Sequence, residues 1–123
     1  MIHLVLAITA ENADAILDGG RPHEHRLRPP KQLPAIAHLA VTGTGTVVGE
    51  CVLGEPARHS AKGWALPVTR PKRYRAPRPV ADYGLLKIPR SFRYCDPPEV
   101  ARERRREASR APDQASSRAS TGR

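Results

Sequence analysis

The apolar residues of this chain come in short bursts, and that limits what it can fold into. "IHLVLAI" (2–8), "AIAHLAVT" (35–42) and "TVVGECVLG" (46–54) are each seven to nine residues long and rich in small and branched aliphatics. Such runs read as strands, the first of them buried. None approaches the roughly 20 apolar residues of a membrane-spanning helix. The 13 prolines among 123 residues cut the rest into short pieces, because each proline removes a backbone donor and fixes φ. With one Trp, three Tyr and one Phe, any core is mainly aliphatic. A chain this long supports one domain with a modest stability margin.

Between the first two strands the pattern changes period. Thr9 is placed to cap a helix, with Glu11 in its first turn near the positive dipole end. Ala13, Ile16 and Leu17 share one helical face. Gly19 or Gly20 ends the helix, since glycine takes a left-handed cap cheaply. "HEHRLR" (23–28) then alternates, which puts Glu24, Arg26 and Arg28 on one side of an extended segment and His23, His25 and Leu27 on the other. Gly49, inside the third apolar run, marks a bulge or a close backbone approach. "PARHSAKGW" (56–64) reads as a short helix or a loop, and "TRPKRYRAPRP" (69–79) as an irregular basic loop. A last strand is expected at Leu85–Ile88, with a further extended piece near Phe92–Tyr94. The order is strand, helix, three strands, basic loop, strand. It predicts an α+β fold, a small curled β-barrel with one or two short helices. The short turns between the later strands argue against parallel crossovers. Residues 1–98 read as the folded domain. Residues 99–123 read as a basic, Arg-rich tail that opens with a helical turn or two and is otherwise disordered.

The formal charge is +9, split +6 over residues 1–98 and +3 over 99–123, so the globular part is itself basic. A basic body favours a polyanionic partner, RNA or another nucleic acid. Cys51 and Cys95 read as two reduced thiols. The start of the sequence has no signal-peptide pattern, which makes cytoplasmic the expected location. No Cys/His cluster calls for a metal, and no cofactor is implied.

Two clusters carry chemistry. In the first, the glycines let the backbone turn sharply after the helix. Arg26 and Glu24 then share a face, so that Arg26 can meet a phosphate or base edge while Glu24 holds it or accepts from a base amine. Arg21 suits a phosphate contact at the rim. The alternative is an internal Arg–Glu pair that merely closes the sheet. The second cluster is the basic loop, where Arg73 and Arg75 flank Tyr74 in the manner of a single-strand binder, against the alternative of a solvated charge run. Trp64 reads either as core or as a base-stacking ring. Arg90 and Ser91 are candidates for the cleft mouth.

The order of these features resembles small ASCH domains of the PUA-like superfamily. "GGRPHEHR" (19–26) is similar to the family's G-x-K-x-x-E-x-R, with Arg21 where lysine is usual. "HLAVTGTGTVVGECVLGE" (38–55) and "YGLLKIPRSF" (83–92) resemble the family's later "VGE" strand and aromatic–glycine–"IP" segment. The resemblance spans about residues 2–96. It implies a small β-barrel with a cleft beside the first helix that binds RNA or a nucleotide-like ligand. Some members hydrolyse modified nucleosides or cleave RNA, with a lysine after the helix in the catalytic set. Arg21 stays protonated and cannot act as a base there.

Three functions remain open on this reading. The first is a nucleic-acid-binding module with Arg21, Glu24, Arg26, Arg73, Tyr74, Arg75, Arg90 and Ser91 as contacts. The second is a small hydrolase with Glu24 as catalytic acid or base and an arginine stabilising developing charge. The third is an interaction module for an acidic protein.

Overall fold

The computed structural model describes residues 1–61, 63–101, 103–104 and 106–107. The elements are β1 (Ile2–Ile8), α1 (Ala10–Leu17), β2 (His23–Arg26), β3 (Ala35–Val41), β4 (Thr46–Leu53), β5 (Arg58–Ser60), β6 (Gly63–Pro79), a 3-10 turn at Val80–Tyr83, and β7 (Phe92–Cys95). Residues 98–101 are helical, as are the described residues 103–104 and 106–107. The strands form one curled α+β half-barrel in the order β2-β6-β4-β3-β1-β7, with β5 hydrogen-bonded to β6.

β1 is buried along both faces, which is why its sequence is continuously apolar rather than alternating. Leu4, Leu6 and Ile8 enter the main core with Ala13 and Ile16 of α1 and with Leu39, Leu53 and Leu66. Val5 points to the other face and packs in a second cluster with Ala40, Val47, Tyr74, Val80 and Tyr83. Thr9 caps α1 as expected, its Oγ1 accepting from the Asn12 N–H at 3.2 Å. Gly19, at φ 82°, takes the left-handed turn that ends it.

Four sequence expectations are corrected. β1 and β3 pair in parallel, Ile2 against Ala35 through Ile8 against Val41. The connection between them is not one of the short turns: it holds α1, β2 and a loop, long enough for a crossover. Segment 56–64 contains strand β5, which pairs with the start of β6 in a hairpin closed at Ser60 and Gly63. The basic stretch 69–79 is strand, part of a 17-residue β6. The β4–β6 register shifts twice, and Pro71 and Pro77 fall in the unpaired stretches, 70–71 between the partners of Glu50 and Val52 and 74–77 between those of Val47 and Gly49. Bulges leave those positions out of the ladder, so the missing N–H groups of Pro71 and Pro77 cost no hydrogen bond there. Finally, residues 85–88 are not a strand. Gly84, at φ 79°, closes the 3-10 turn, Leu85 and Ile88 lie against the second cluster, and Pro89 interrupts further pairing. The last strand is the piece at 92–95.

Gly49 sits at the first of these register shifts. A Cβ there would stand 2.6 Å from the Lys72 carbonyl oxygen and 2.8 Å from Leu17 Cδ2. Only glycine lets β4, β6 and α1 approach so closely.

The second cluster is not purely apolar. His38, 1 % exposed, has its Nδ1 2.9 Å from the Tyr74 hydroxyl and its Nε2 2.9 Å from His3 Nδ1. Tyr74 donates to Glu50 Oε1 at 2.9 Å and accepts from Tyr83 at 3.3 Å. Because the single Tyr74 proton goes to Glu50, His38 donates from Nδ1 to Tyr74 and accepts from His3 at Nε2. Arg78 lies over the Tyr74 ring, 3.7 Å from its centre. Burial, then the charges of His3 and Arg78, push His38 down to about 3, and burial raises Tyr74 well above its ordinary value. Both are neutral packing elements of the core.

Candidate functional site

The curl of the sheet leaves a seam between β2 at one edge and β1 and β7 at the other, and side chains bridge it. Arg26, on β2, sends Nη2 to the Ala7 carbonyl on β1 at 2.9 Å and Nη1 to Ser91 Oγ, just ahead of β7, at 3.3 Å. Its Nε lies 2.9 Å from Glu24 Oε2. Arg21, between α1 and β2, donates from Nε to the other carboxylate oxygen at 3.2 Å. Glu24 is 4 % exposed, so one buried carboxylate holds two guanidinium groups in fixed positions. Period-two alternation is what puts Glu24 and Arg26 on one face.

This arrangement forms part of the wall of a cavity of about 820 Å³, lined also by Ala7, Ile8, Thr9, Asn12, His25, Leu27, Arg28, Thr42, Arg90, Ser91 and Phe92. The N-terminal end of α1, at Thr9 and Asn12, opens on it. Four arginines, Arg21, Arg26, Arg28 and Arg90, line the cavity against a single acidic residue, Glu24. Among the described residues, neither Arg28 nor Arg90 has a hydrogen-bond or ion-pair partner.

Five of the residues singled out in the sequence therefore meet at one cavity: Arg21, Glu24, Arg26, Arg90 and Ser91. The alternative of a pair that closes the sheet is realised by the same atoms, since Arg26 both grips Glu24 and bridges the seam. Arg73, Tyr74 and Arg75 do not line the cavity. Tyr74 is 7 % exposed and bound into the second core, because the β6 bulge turns it inward from a run of exposed neighbours; it offers no open stacking face. Arg73 lies on α1, 3.2 Å from both Asp14 and Asp18, and Arg75 is exposed.

The sequence reading placed Arg28 on the right face of the segment without naming it as a contact. It did not single out Thr9, Asn12, His25 or Thr42. Thr9 was visible only as a cap residue, and Thr42 comes to the cavity through the β1–β3 pairing, which no local pattern announces. The two thiols are free, and burial pushes Cys51 up to about 12 and Cys95 up to about 11, so neither supplies a thiolate nucleophile at neutral pH. Among the described residues no group of three or more His, Cys, Asp or Glu could hold a metal ion. No described helix is long and apolar enough to cross a membrane.

The architecture is similar to that of solved structures. ASCH from Zymomonas mobilis superposes with a TM-score of 0.64 over 81 % of this chain and 92 % of that one, at 19 % identity. The chain has an ASCH-like fold. Two mutant forms of the same Zymomonas protein match equally well, at TM-scores of 0.64 and 0.63 and identities of 18 % and 17 %; they cover 80 % of this chain and 93 % and 91 % of theirs. No protein-family model matches the sequence, and no curated protein matches it. Within this ASCH-like α+β frame, the segment Gly19–Arg26 runs from the end of α1 through β2 to the seam, and its arginines and glutamate line the cavity.

Proposed function

We propose that this chain is a cytoplasmic nucleic-acid-binding module, with RNA as its partner, and that the seam cavity is where a nucleotide sits. The observation that carries this reading is the charge of the cavity. Four arginines line it with one glutamate, and two of them, Arg28 and Arg90, are uncompensated among the described residues. A neutral ligand leaves that surplus unmatched, whereas a phosphate accepts two parallel N–H bonds from each free fork. The positive end of α1 adds to the same field. A volume of about 820 Å³ is ample for a nucleotide. Residues 1–98 make up the module on this reading, and the arginines of 99–123 add a non-specific electrostatic arm.

Glu24 acts as a positioning residue rather than an acid or base. Both of its oxygens accept from arginines that it fixes in place. The hydrolase reading therefore has less support than binding.

Gel shift with short single-stranded RNA over a salt series tests the proposal. A retarded band at low salt that fades as salt rises is expected, because phosphate contacts release counter-ions. No retardation at the lowest salt would end the reading. Nucleic acid carried through purification, and removed by nuclease, would separate it from an interaction with an acidic protein.

A further inference from the structure

Trp64 is the single tryptophan of the chain, and it does not belong to either core. Leu66, two residues further along β6 and therefore on the same face, is fully buried, whereas Trp64 is 38 % exposed. Its position is fixed from both sides. In the β2–β6 register it stands directly opposite Arg26, and in the β5–β6 register directly opposite His59. Residues opposite one another in antiparallel strands share a face, with Cβ atoms about 5 Å apart. Arg26, Trp64 and His59 thus form one row across three strands. The row begins at the arginine that grips Glu24 in the cavity wall and runs outward over the sheet. His59 is exposed, and its ring and the indole meet at a steep tilt, 4.8 Å between centres and 62° between planes. That contact steadies the indole from one side, and the ring keeps 38 % exposure. The hairpin pair Ser60–Gly63 closes the turn immediately before Trp64, so the ring stands on a short, hydrogen-bonded ribbon rather than a free loop.

We propose that Trp64, held by His59, is a stacking platform for a base adjoining the nucleotide in the cavity. The partner is then a single strand of at least two nucleotides, neither a free nucleotide nor a duplex. This rests on the reading of the cavity as a nucleotide site. An exposed indole beside an arginine-lined cavity is the pairing single strands need: a π-face for the base and cations for the backbone. Bases locked in a duplex present no face to it.

The indole reports on itself, since the chain's fluorescence has one tryptophan source. Wild-type protein is titrated with hexauridylate and, separately, with uridine monophosphate, and gel shift is run on the same samples. Hexauridylate should quench the emission saturably with the midpoint of the gel shift, and uridine monophosphate should leave it unchanged. Trp64→Ala should weaken hexauridylate binding about tenfold, the loss expected for one stacked base, while uridine monophosphate affinity is unaltered. Trp64→Phe, which keeps a ring, should retain most of the affinity and covers the case in which the alanine variant does not fold. Hexauridylate that shifts the protein in the gel without moving the emission overturns the platform and leaves the cavity reading standing. Quenching by uridine monophosphate as strong as by hexauridylate also overturns it, because the indole would then belong to the nucleotide pocket. Absence of any hexauridylate shift at low salt overturns the cavity reading and the platform with it.

Discussion

Removing the Glu24 carboxylate would leave Arg21 and Arg26 side by side with no counter-ion, and Arg26 is half-buried at the seam. Breaking a buried pair from one side typically costs about 3 kcal/mol. Glu24→Ala is therefore expected to lower unfolding stability by that order in urea titrations; a change below about 0.5 kcal/mol, within the range of an ordinary surface substitution, would mean that the clamp holds nothing. His38 provides a second test at the same scale. Its folded-state ionisation lies at about 3 against an ordinary 6.5. The unfolded chain thus binds a proton that the folded one refuses. This contribution to stability is complete above pH 6.5 and is lost as pH falls toward 3. The groups facing His38 are His3, Tyr74, Tyr83 and Arg78, with Glu50 beyond Tyr74. His38→Gln removes the titration, so its stability should fall less steeply than wild type between pH 6.5 and 4. Equal slopes would contradict the neutral buried assignment. Glu24 and Arg26 were legible in the sequence because two residues apart on a strand is a geometric statement. Tyr74 was not, since a tyrosine among arginines looks exposed until a bulge turns it inward.

At the scale of elements, β6 decides most of the architecture. It pairs with β2, β4 and β5, and its bulges absorb Pro71 and Pro77 while bending the sheet into its curl. The close approach at Gly49 belongs to the same bend. Gly49→Ala would force the Lys72 backbone and Leu17 to move, an overpacking that costs about 1–3 kcal/mol. A fall in melting temperature with the fold retained is the expected result, and an unchanged melting temperature would show that the strands are not pressed together there. The strands β1, β3 and β4 were readable because burial imposes its pattern on a continuous run. β5 and β6 were not, because their hydrogen bonds come from distant partners and their composition reads as loop. The parallel β1–β3 pairing was hidden for a related reason: it depends on how the intervening segment is routed, not on either strand's sequence.

For the whole molecule, charge is the organising quantity. The body and the tail are both basic, so binding to a polyanion by itself does not locate the site. The cavity account does locate it, in Arg28 and Arg90, which have no partners among the described residues. Each phosphate contact on a single strand contributes about 0.7 to the slope of log affinity against log salt. The most direct test is that slope, measured for a short single-stranded RNA with the wild type and with the Arg28→Ala/Arg90→Ala double variant. The account predicts a slope shallower by about 1.4 in the variant, with affinity reduced at every salt concentration. An identical slope and affinity in the two proteins would contradict it.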